Sequence, residues 1–238
     1  MDTYQGIIST LALTMGVGWA SGINLYALLC VLGIAGATGN IVLPQELLVL
    51  QDPLVIGAAG FMYMVEFFVD KTPGVDSGWD SVHTFIRIPA GAMLAAGAVG
   101  DVTPALEVAA GILGGTMAGA SHLSKASSRL LINTSPEPFS NWGASIAEDL
   151  MVFAGLWAMF NHPLVFIALM VAFIALVIWL LPKIWRVLKA MMSKIRSWFS
   201  REDQRAAELQ PRPTEASDPQ MPQGQRSQGQ ESLKLGRQ

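Results

Sequence analysis

The segment from Glu66 to Arg87 holds most of the side chains in the apolar body of this chain that could do chemistry. It reads EFFVDKTPGVDSGWDSVHTFIR and contains four carboxylates, a lysine, a histidine and an arginine. Ionisable residues within membrane-spanning segments are rare and mark ion pathways, proton relays or paired charges. The segment therefore indicates either a working polar site or a polar hinge that organises one. It does not identify a substrate.

The second half of this segment carries a stripe of polar side chains at helical spacing. If a helix begins near Asp76, after the turn-forming pair Pro73-Gly74, four residues lie at i, i+4, i+7 and i+11 on one face. These residues are Asp76, Asp80, His83 and Arg87. Two aspartates and a histidine could hold a divalent cation or relay protons. In the alternative reading, Asp76 caps the helix and Arg87 pairs with an acid or with a lipid phosphate.

Glu66 and Asp70 form a second pair, four residues apart at the end of an apolar stretch, with Lys71 directly after them. Negative charge at the C-terminal end of a helix opposes the helix dipole, so this pair lacks a simple structural explanation. Glu66 lies about 6 Å below Asp70 along a helix axis, deep enough to be desolvated and shallow enough to reach water. Alternatively, Glu66 forms a structural ion pair with Lys71, Lys125 or Arg129.

A second polar segment spans residues 122–149. Lys125 and Arg129 share a helical face there, and they could neutralise the carboxylates of the first segment or bind an anion. The sequence SIAE at 145–148 matches a capping box, in which serine and glutamate satisfy backbone donors at a helix start. Asp149 is not required by that box, so it stays a candidate site residue.

Composition places these residues in a membrane protein. Hydrophobic residues make up 52% of the chain, charged residues only 14%, and the mean hydropathy is +0.43, whereas soluble domains carry about 25% charged residues. The net charge of -3 is too small to imply an anionic partner, and the single cysteine, Cys30, excludes an internal disulfide. We therefore expect an integral membrane protein surrounded by a lipid bilayer, with no cofactor and no nucleic-acid partner.

The chain contains six apolar stretches, at 6–35, 54–69, 84–100, 104–122, 145–160 and 163–181. They predict an all-α, polytopic membrane protein with about six transmembrane helices. The first stretch is too long for one straight crossing, since a helix of that length extends about 45 Å. Its centre combines glycines with Ser21 and Asn24, which predicts a long, tilted or broken helix, or two segments meeting near Ser21 and Gly22. Whether it crosses the membrane once or twice stays open.

The distribution of Lys and Arg predicts the orientation. These residues are concentrated in two polar loops, at 70–83 and 123–144, and in the chain from residue 183 onward. The positive-inside rule places those regions, and with six crossings both termini, on the cytoplasmic side of the cell (inner) membrane. If the first stretch crosses twice, the N-terminus lies outside, but the two polar loops still share one face.

The chain divides into three parts: a transmembrane helical domain at 1–182, a basic amphipathic helix at 183–205 and a tail at 206–238. Apolar residues at helical spacing, with basic residues between them, predict that the second part lies on anionic lipid headgroups. The tail is rich in Gln, Pro and Ser and lacks apolar periodicity, so we expect it to be disordered.

Two similar small-residue segments suggest internal symmetry. Gly18-Trp-Ala-Ser21 in the first stretch and Ala118-Gly-Ala-Ser121 in the fourth each close a helical segment of small residues, and a glutamate, Glu66 or Glu148, marks the next stretch of each half. Two three-helix halves of opposite orientation would form an inverted repeat, as in many transporters. Alternatively, the glycines from Gly111 to Gly119 only allow close helix packing.

A longer combination of residues is more specific for a protein family than these short segments are. It reads E-x3-D-K-x-P-x2-D-S-x-W-D-x2-H-T-x-I-R-x-P-A-G from Glu66 onward, followed by K-x3-R, N-x-S-P-E-P and S-x2-E-D. This combination resembles the bacterial membrane proteins grouped as domain-of-unknown-function family 4126, over roughly residues 5–180. The resemblance implies a multi-pass membrane protein and assigns no substrate or catalytic role to any position.

Two kinds of function fit these residues. The first is a transporter or channel for a small solute or ion, with a water-filled cavity that reaches Glu66 from the cytoplasmic side. The second is a metal-dependent membrane enzyme acting on a lipid or phosphorylated substrate, with Asp76, Asp80 and His83 as candidate metal ligands. The sequence has neither a Walker loop nor a G-x-S-x-G elbow, so we favour a transporter over an enzyme. Complete mutual pairing of the charges would favour a non-catalytic scaffold.

Overall fold

A computed structural model of the chain describes residues 2–72, 74–132 and 138–208. Within these ranges the chain is helical and contains no β-strand, which confirms the predicted all-α fold. The helices are α1 (Asp2–Ala37), a short 3-10 helix (Gln45–Gln51), α2 (Pro53–Val69), α3 (Val75–Ala98), α4 (Pro104–Ile132), α5 (Pro138–Asn161) and α6 (Pro163–Glu208).

Three segments of the described chain are long and apolar enough to cross a membrane: Tyr4–Ala37, Phe139–Asn161 and Pro163–Leu180. A fourth span results if the 3-10 helix and α2, which meet at a bend of 69°, are counted together. α3 and α4 are less apolar, since each carries three charged residues. These helices support the predicted membrane class, while six crossings stay a prediction.

α3 and α4 extend into the segments that were predicted as polar loops. α3 begins at Val75, directly after Gly74, whose φ of 85° is a conformation that glycine adopts readily. α4 continues to Ile132. The polar side chains on these extensions are buried between helices, and such tertiary contacts stabilise helical turns more than local propensity does. The predicted loops at 70–83 and 123–144 are therefore wrong in extent, and residues 133–137 lie outside the described residues.

α1 is broken at Asn24, whose φ of −146° and ψ of 92° are extended rather than helical. The break divides α1 into a first arm before Asn24 and a second arm after it. On the first arm, Gly18 lies against Gly114 and, one turn later, Gly22 lies against Ser121. Residue numbers increase together along both helices, so the first arm runs parallel to α4.

The second arm of α1 packs against α2 and runs antiparallel to it. Cys30 lies beside Gly60, and Gly33, one turn later, lies beside Ile56. Residue numbers rise along the second arm while they fall along α2, so the two helices are antiparallel. The second arm therefore leads away from the C-terminal end of α2, toward the residues with which α2 begins.

α1 consequently folds back on itself, with its break near the C-terminal ends of α2 and α4. The two ends of α1 lie together at the other end of the bundle, where Ser9 of the first arm and Ala35 of the second line one cavity. The predicted broken helix is confirmed, with the break three residues beyond Ser21. The predicted inverted repeat is wrong for the segments that suggested it, because the first arm and α4 run in the same direction.

Small residues let α1, α3 and α4 approach closely. A Cβ atom at Gly22 would collide with the Ser121 hydroxyl and with the carbonyl of Ala118. A Cβ atom at Gly114 would collide with the Ala95 side chain of α3. Interfaces of this kind replace side-chain volume with close backbone contact, which is a common way to pack helices in membranes.

The chain forms two units, Met1–Leu181 and Pro182–Gln238. In the second unit the described chain is helical as far as Glu208, so the segment predicted as an amphipathic helix at 183–205 is helical. Of the tail predicted at 206–238, the first three residues belong to α6 and residues 209–238 lie outside the described residues.

Candidate functional site

Nine charged side chains are buried together near the break in α1, and we call this group the charge cluster. Its members are Glu66, Asp70, Asp76, Asp80, Arg87, Lys125, Arg129, Glu148 and Asp149. None of them is more than 9% exposed. A buried charge costs several kcal/mol unless it is paired and hydrogen-bonded, so the contacts of each member decide whether the cluster is stable.

Arg87 of α3 joins three helices. Its guanidinium donates to the Glu66 carboxylate of α2 and to Asp80 Oδ1 at 3.2 Å. It also donates to the backbone carbonyl of Gly22 in α1 at 3.3 Å. Arg87 itself is fully buried. Glu66 is therefore held by a partner that lies 21 residues away along the chain.

Lys125 of α4 is the most connected cation of the charge cluster. Its Nζ lies 2.7 Å from Asp70 Oδ2 and 3.4 Å from Glu66 Oε1. It also lies 3.8 Å from Asp80 and 3.7 Å from Glu148. Four carboxylates thus share one ammonium group. This arrangement includes the Glu66 to Lys125 ion pair that the sequence offered as the structural alternative.

Arg129 pairs with a carboxylate that sequence reasoning assigned to a helix cap. Its Nε and Nη2 donate to the two oxygens of Glu148 at 3.2 and 2.7 Å. α5 begins at Pro138, so Ser145 and Glu148 lie within the helix, where backbone N–H groups already have partners. The predicted capping box at 145–148 is therefore wrong, and Glu148 belongs to the charge cluster.

Asn24 connects the break in α1 to the charge cluster. Its Oδ1 accepts from the backbone N–H of Ala27 at 2.9 Å, which caps the second arm, and its Nδ2 donates to Asp149 Oδ1 at 3.0 Å. Because the cap occupies the N–H of Ala27, the carbonyl of Ile23 loses its helical partner. That carbonyl accepts from Lys125 at 3.2 Å instead.

Two buried histidines have both ring nitrogens occupied. His83 contacts the carbonyl of Trp79 through Nδ1 at 2.9 Å and the Tyr26 hydroxyl through Nε2 at 3.1 Å. His122 contacts Thr84 through Nε2 at 2.7 Å and the Arg87 guanidinium through Nδ1 at 3.2 Å. Since a guanidinium only donates, Nδ1 of His122 is an acceptor.

The predicted metal ligands Asp76, Asp80 and His83 are all buried along one face of α3, where each contacts protein groups. Asp76 Oδ1 accepts from the backbone N–H groups of Gly74 at 2.9 Å and Ser77 at 2.7 Å. Asp80 contacts Arg87 and Lys125, and both ring nitrogens of His83 have hydrogen-bond partners. Within residues 2–72, 74–132 and 138–208, no group of three or more His, Cys, Asp or Glu side chains is placed to hold a metal ion.

Lys71 lies at the edge of the charge cluster and is only half-buried. Its Nζ donates to the Phe67 carbonyl at 3.1 Å and to the Ser145 hydroxyl at 3.3 Å. Burial lowers the pKa of Lys71, while the carboxylates of Asp149 and Asp70 act in the opposite direction. The side chain therefore borders the cluster without entering an ion pair among the described residues.

The charge cluster contains more acids than bases. Six carboxylates face three buried cations, and Lys71 at the edge reduces the difference from three charges to two. Several carboxylate oxygens are buried and have no hydrogen-bond partner in the described part of the chain: Glu66 Oε2, Asp70 Oδ1, Asp80 Oδ2 and Asp149 Oδ2. The acids of the cluster are therefore incompletely neutralised by the described side chains.

A cavity of about 870 Å³ lies at the opposite end of the bundle. It is lined by both arms of α1, by residues 40–44 and by the end of α5, mostly with apolar side chains. Its polar lining consists of Ser9, Thr10, Asn40 and Asn161. No member of the charge cluster lines this cavity, so it is not the route to Glu66 that the transporter hypothesis predicted.

Comparison with protein families decides the identity of the chain. The family model described as Domain of unknown function (DUF4126) matches residues 11–183. The chain belongs to the DUF4126 family. No curated protein matches this chain, and no solved structure matches it. The family assignment confirms the resemblance that the spaced charges and the tryptophan of α3 suggested.

The structure of this DUF4126 protein adds residues that sequence reasoning missed. It brings all ten predicted site residues into or beside the charge cluster, and it adds Asn24, His122 and Glu148. His122 lies three residues before Lys125 on the same helical face, which is a signal that could have identified it. Asn24 and Glu148 act through contacts with distant helices, and no local pattern reveals those contacts.

Proposed function

We propose that this protein is a transporter or channel for a small ion or solute, with the charge cluster as the polar site of its pathway. The observation that carries the proposal is the break in α1, where the carbonyls of Gly22 and Ile23 contact Arg87 and Lys125. Broken helices that expose backbone carbonyls to buried charges are the usual construction of ion and substrate sites in transporters.

The two ends of the bundle support a two-sided pathway. The charge cluster lies at one end and the cavity at the other, and fully buried apolar side chains occupy the helical positions between them. These side chains are Val17, Ala20, Leu28 and Val152. An apolar barrier between a polar site and an open cavity is what a closed state of an alternating-access transporter requires.

The topology that accompanies this proposal has the charge cluster near the cytoplasmic face of the cell (inner) membrane, as the positive-inside rule requires. α6 then carries the chain to the cytoplasm, where the basic helix at 183–205 contacts anionic lipid headgroups. Because α1 folds back, both of its ends lie on the outer side. This differs from the expectation that both termini are cytoplasmic.

Labelling of introduced cysteines will test this topology. In a Cys30→Ala background, Gln5→Cys is expected to react with a membrane-impermeant maleimide in intact cells, because residue 5 lies at the outer end of the first arm. Thr72→Cys, between α2 and α3, is expected to react only after permeabilisation. Labelling of Gln5→Cys only after permeabilisation would contradict the folded-back α1.

Ion flux in proteoliposomes will test the function. With imposed gradients of H⁺, Na⁺, K⁺ and Cl⁻, wild-type protein is expected to dissipate at least one gradient, and Glu66→Gln is expected to reduce that flux toward the level of protein-free vesicles. Glutamine keeps the shape of Glu66, and the surplus of acids in the cluster compensates for the lost charge, so we expect the variant to fold.

Glu107→Gln is the matched control for this experiment, since Glu107 is an exposed acid in the first turn of α4, outside the charge cluster. It is expected to retain wild-type flux. If wild type shows no flux of any ion tested, the transporter proposal is wrong. Turnover of lipid that depended on an added metal would then favour the enzyme hypothesis.

A further inference from the structure

Among the described residues, Asp149 differs from Glu66, Asp70, Asp80 and Glu148 in having no cation within ion-pair distance. No Lys, Arg or His nitrogen lies within 4.0 Å of its carboxylate in the described chain, whereas Glu66, Asp70, Asp80 and Glu148 all have such partners. Asp149 is nevertheless only 8% exposed. An ionised carboxylate in this position would be a buried charge without an ion pair, which is strongly unfavourable.

The two oxygens of Asp149 have different surroundings. Oδ1 accepts from Asn24 Nδ2 at 3.0 Å, while Oδ2 is buried and has no hydrogen-bond partner among the described residues. A protonated carboxyl group fits this arrangement, because its carbonyl oxygen accepts one hydrogen bond and its hydroxyl oxygen carries the proton. Oδ2 is thus the oxygen on which a proton would reside.

The charged and titratable groups that act on Asp149 come from each neighbouring element. α2 contributes Tyr63 and Asp70, the turn after α2 contributes Lys71, α4 contributes Lys125, and α1 contributes the uncharged Asn24. On α5 itself the adjacent residue is Glu148, which is paired with Arg129. Residues 163–181 of α6 include no titratable side chain. Lys125 is shared among other acids, and the Nζ of Lys71 donates to the Phe67 carbonyl and the Ser145 hydroxyl, so neither cation is dedicated to Asp149.

We propose that Asp149 is a proton-binding site whose protonation state controls the break in α1, and this proposal rests on the proposed transport function. A proton rather than a metal suits the site, because the described acids form no metal-ligating group. Asn24 transmits the change, since it bonds to Asp149 with its amide nitrogen and caps the second arm with its amide oxygen. The coupling ion of the transporter is then H⁺.

Infrared difference spectroscopy on the purified protein in vesicles will test proton binding directly. At neutral pH the wild type is expected to show a C=O stretching band of a protonated carboxyl group, which disappears as the pH is raised. Asp149→Asn is expected to lack this band, while Asp101→Asn, which changes an exposed aspartate at the other end of the bundle, is expected to retain it. An unchanged band in Asp149→Asn would overturn the proposal.

A second measurement separates this inference from the proposed function. In proteoliposomes with a pH-sensitive dye, wild type is expected to move protons, and Asp149→Asn is expected to lose that movement while retaining wild-type thermal stability at neutral pH. If wild type moves another ion, and neither pH nor Asp149→Asn changes that flux, the proposed role of Asp149 is wrong. The transporter proposal would still stand. If wild type instead shows the infrared band of protonated Asp149 but moves no ion, the protein is not a transporter, and Asp149 then has no coupling role.

Discussion

Lys125→Met is expected to destabilise the folded protein by about 3–5 kcal/mol, because it leaves buried carboxylates without their shared cation. Methionine retains most of the aliphatic volume of lysine, so the effect reports the ammonium group rather than a cavity. Asp70 loses its closest partner, at 2.7 Å, and Glu66, Asp80 and Glu148 lose secondary contacts. The measurement is the free energy of unfolding in detergent micelles at neutral pH.

The pH dependence of this variant is a further part of the expected result. Protonation removes the negative charge that Lys125 compensates, so the difference in stability between Lys125→Met and wild type is expected to shrink as the pH falls. Lys189→Met, at an exposed position in the second unit, serves as the control and is expected to change stability by less than about 0.5 kcal/mol. A neutral-pH stability equal to wild type in Lys125→Met would show that the carboxylates do not depend on this cation.

Gly22→Ala is expected to destabilise the protein by about 3 kcal/mol, at the upper end of the cost of overpacking a core. The added methyl group would collide with the Ser121 hydroxyl and with the carbonyl of Ala118. Backbone atoms of α4 cannot rotate away as a flexible side chain can, so the helices must separate. Separation would also lengthen the contact between Arg87 and the Gly22 carbonyl. Thermal unfolding in micelles measures the effect.

Gly57→Ala is the matched control, because a Cβ atom at Gly57 of α2 meets nothing within 4 Å. Alanine is the better helix former, so this variant is expected to be equally stable or more stable by up to about 1 kcal/mol. Equal stability of Gly22→Ala and Gly57→Ala would show that α1 and α4 do not pack as closely as described.

Periodicity was a reliable guide to the polar face of α3. Asp76, Asp80, His83 and Arg87 lie at helical spacing, and all four are buried along one face. The same spacing rule placed Lys125 and Arg129 together on α4. Both predictions rest on contacts within one helix, where distance along the chain determines distance in space. The extent of the helices was less predictable, because buried ion pairs between helices extended α3 and α4 into polar sequence.

A local sequence motif gave a wrong prediction where an ion pair with a distant helix is more stabilising than the motif. The residues at 145–148 match a capping box, yet Glu148 is bound by Arg129 of α4 within a continuous helix. The capping box is worth about 1 kcal/mol, whereas leaving a buried guanidinium without its carboxylate costs several times as much. The cross-helix ion pair therefore decides the conformation, and a sequence motif of four residues contains no information about it.

Composition and spacing determined by themselves that this is an apolar helical membrane protein, that the charges within its apolar body are concentrated in two segments, and that those segments share one end of the bundle. Only the tertiary structure decided that α1 folds back at Asn24 and that no cation of the described chain lies within 4.0 Å of the Asp149 carboxylate. Both features depend on contacts between helices that are distant in sequence, such as the hydrogen bond from Asn24 to Asp149, 125 positions away. Such contacts form only when the helices have packed, because nothing in the neighbouring sequence specifies the partner.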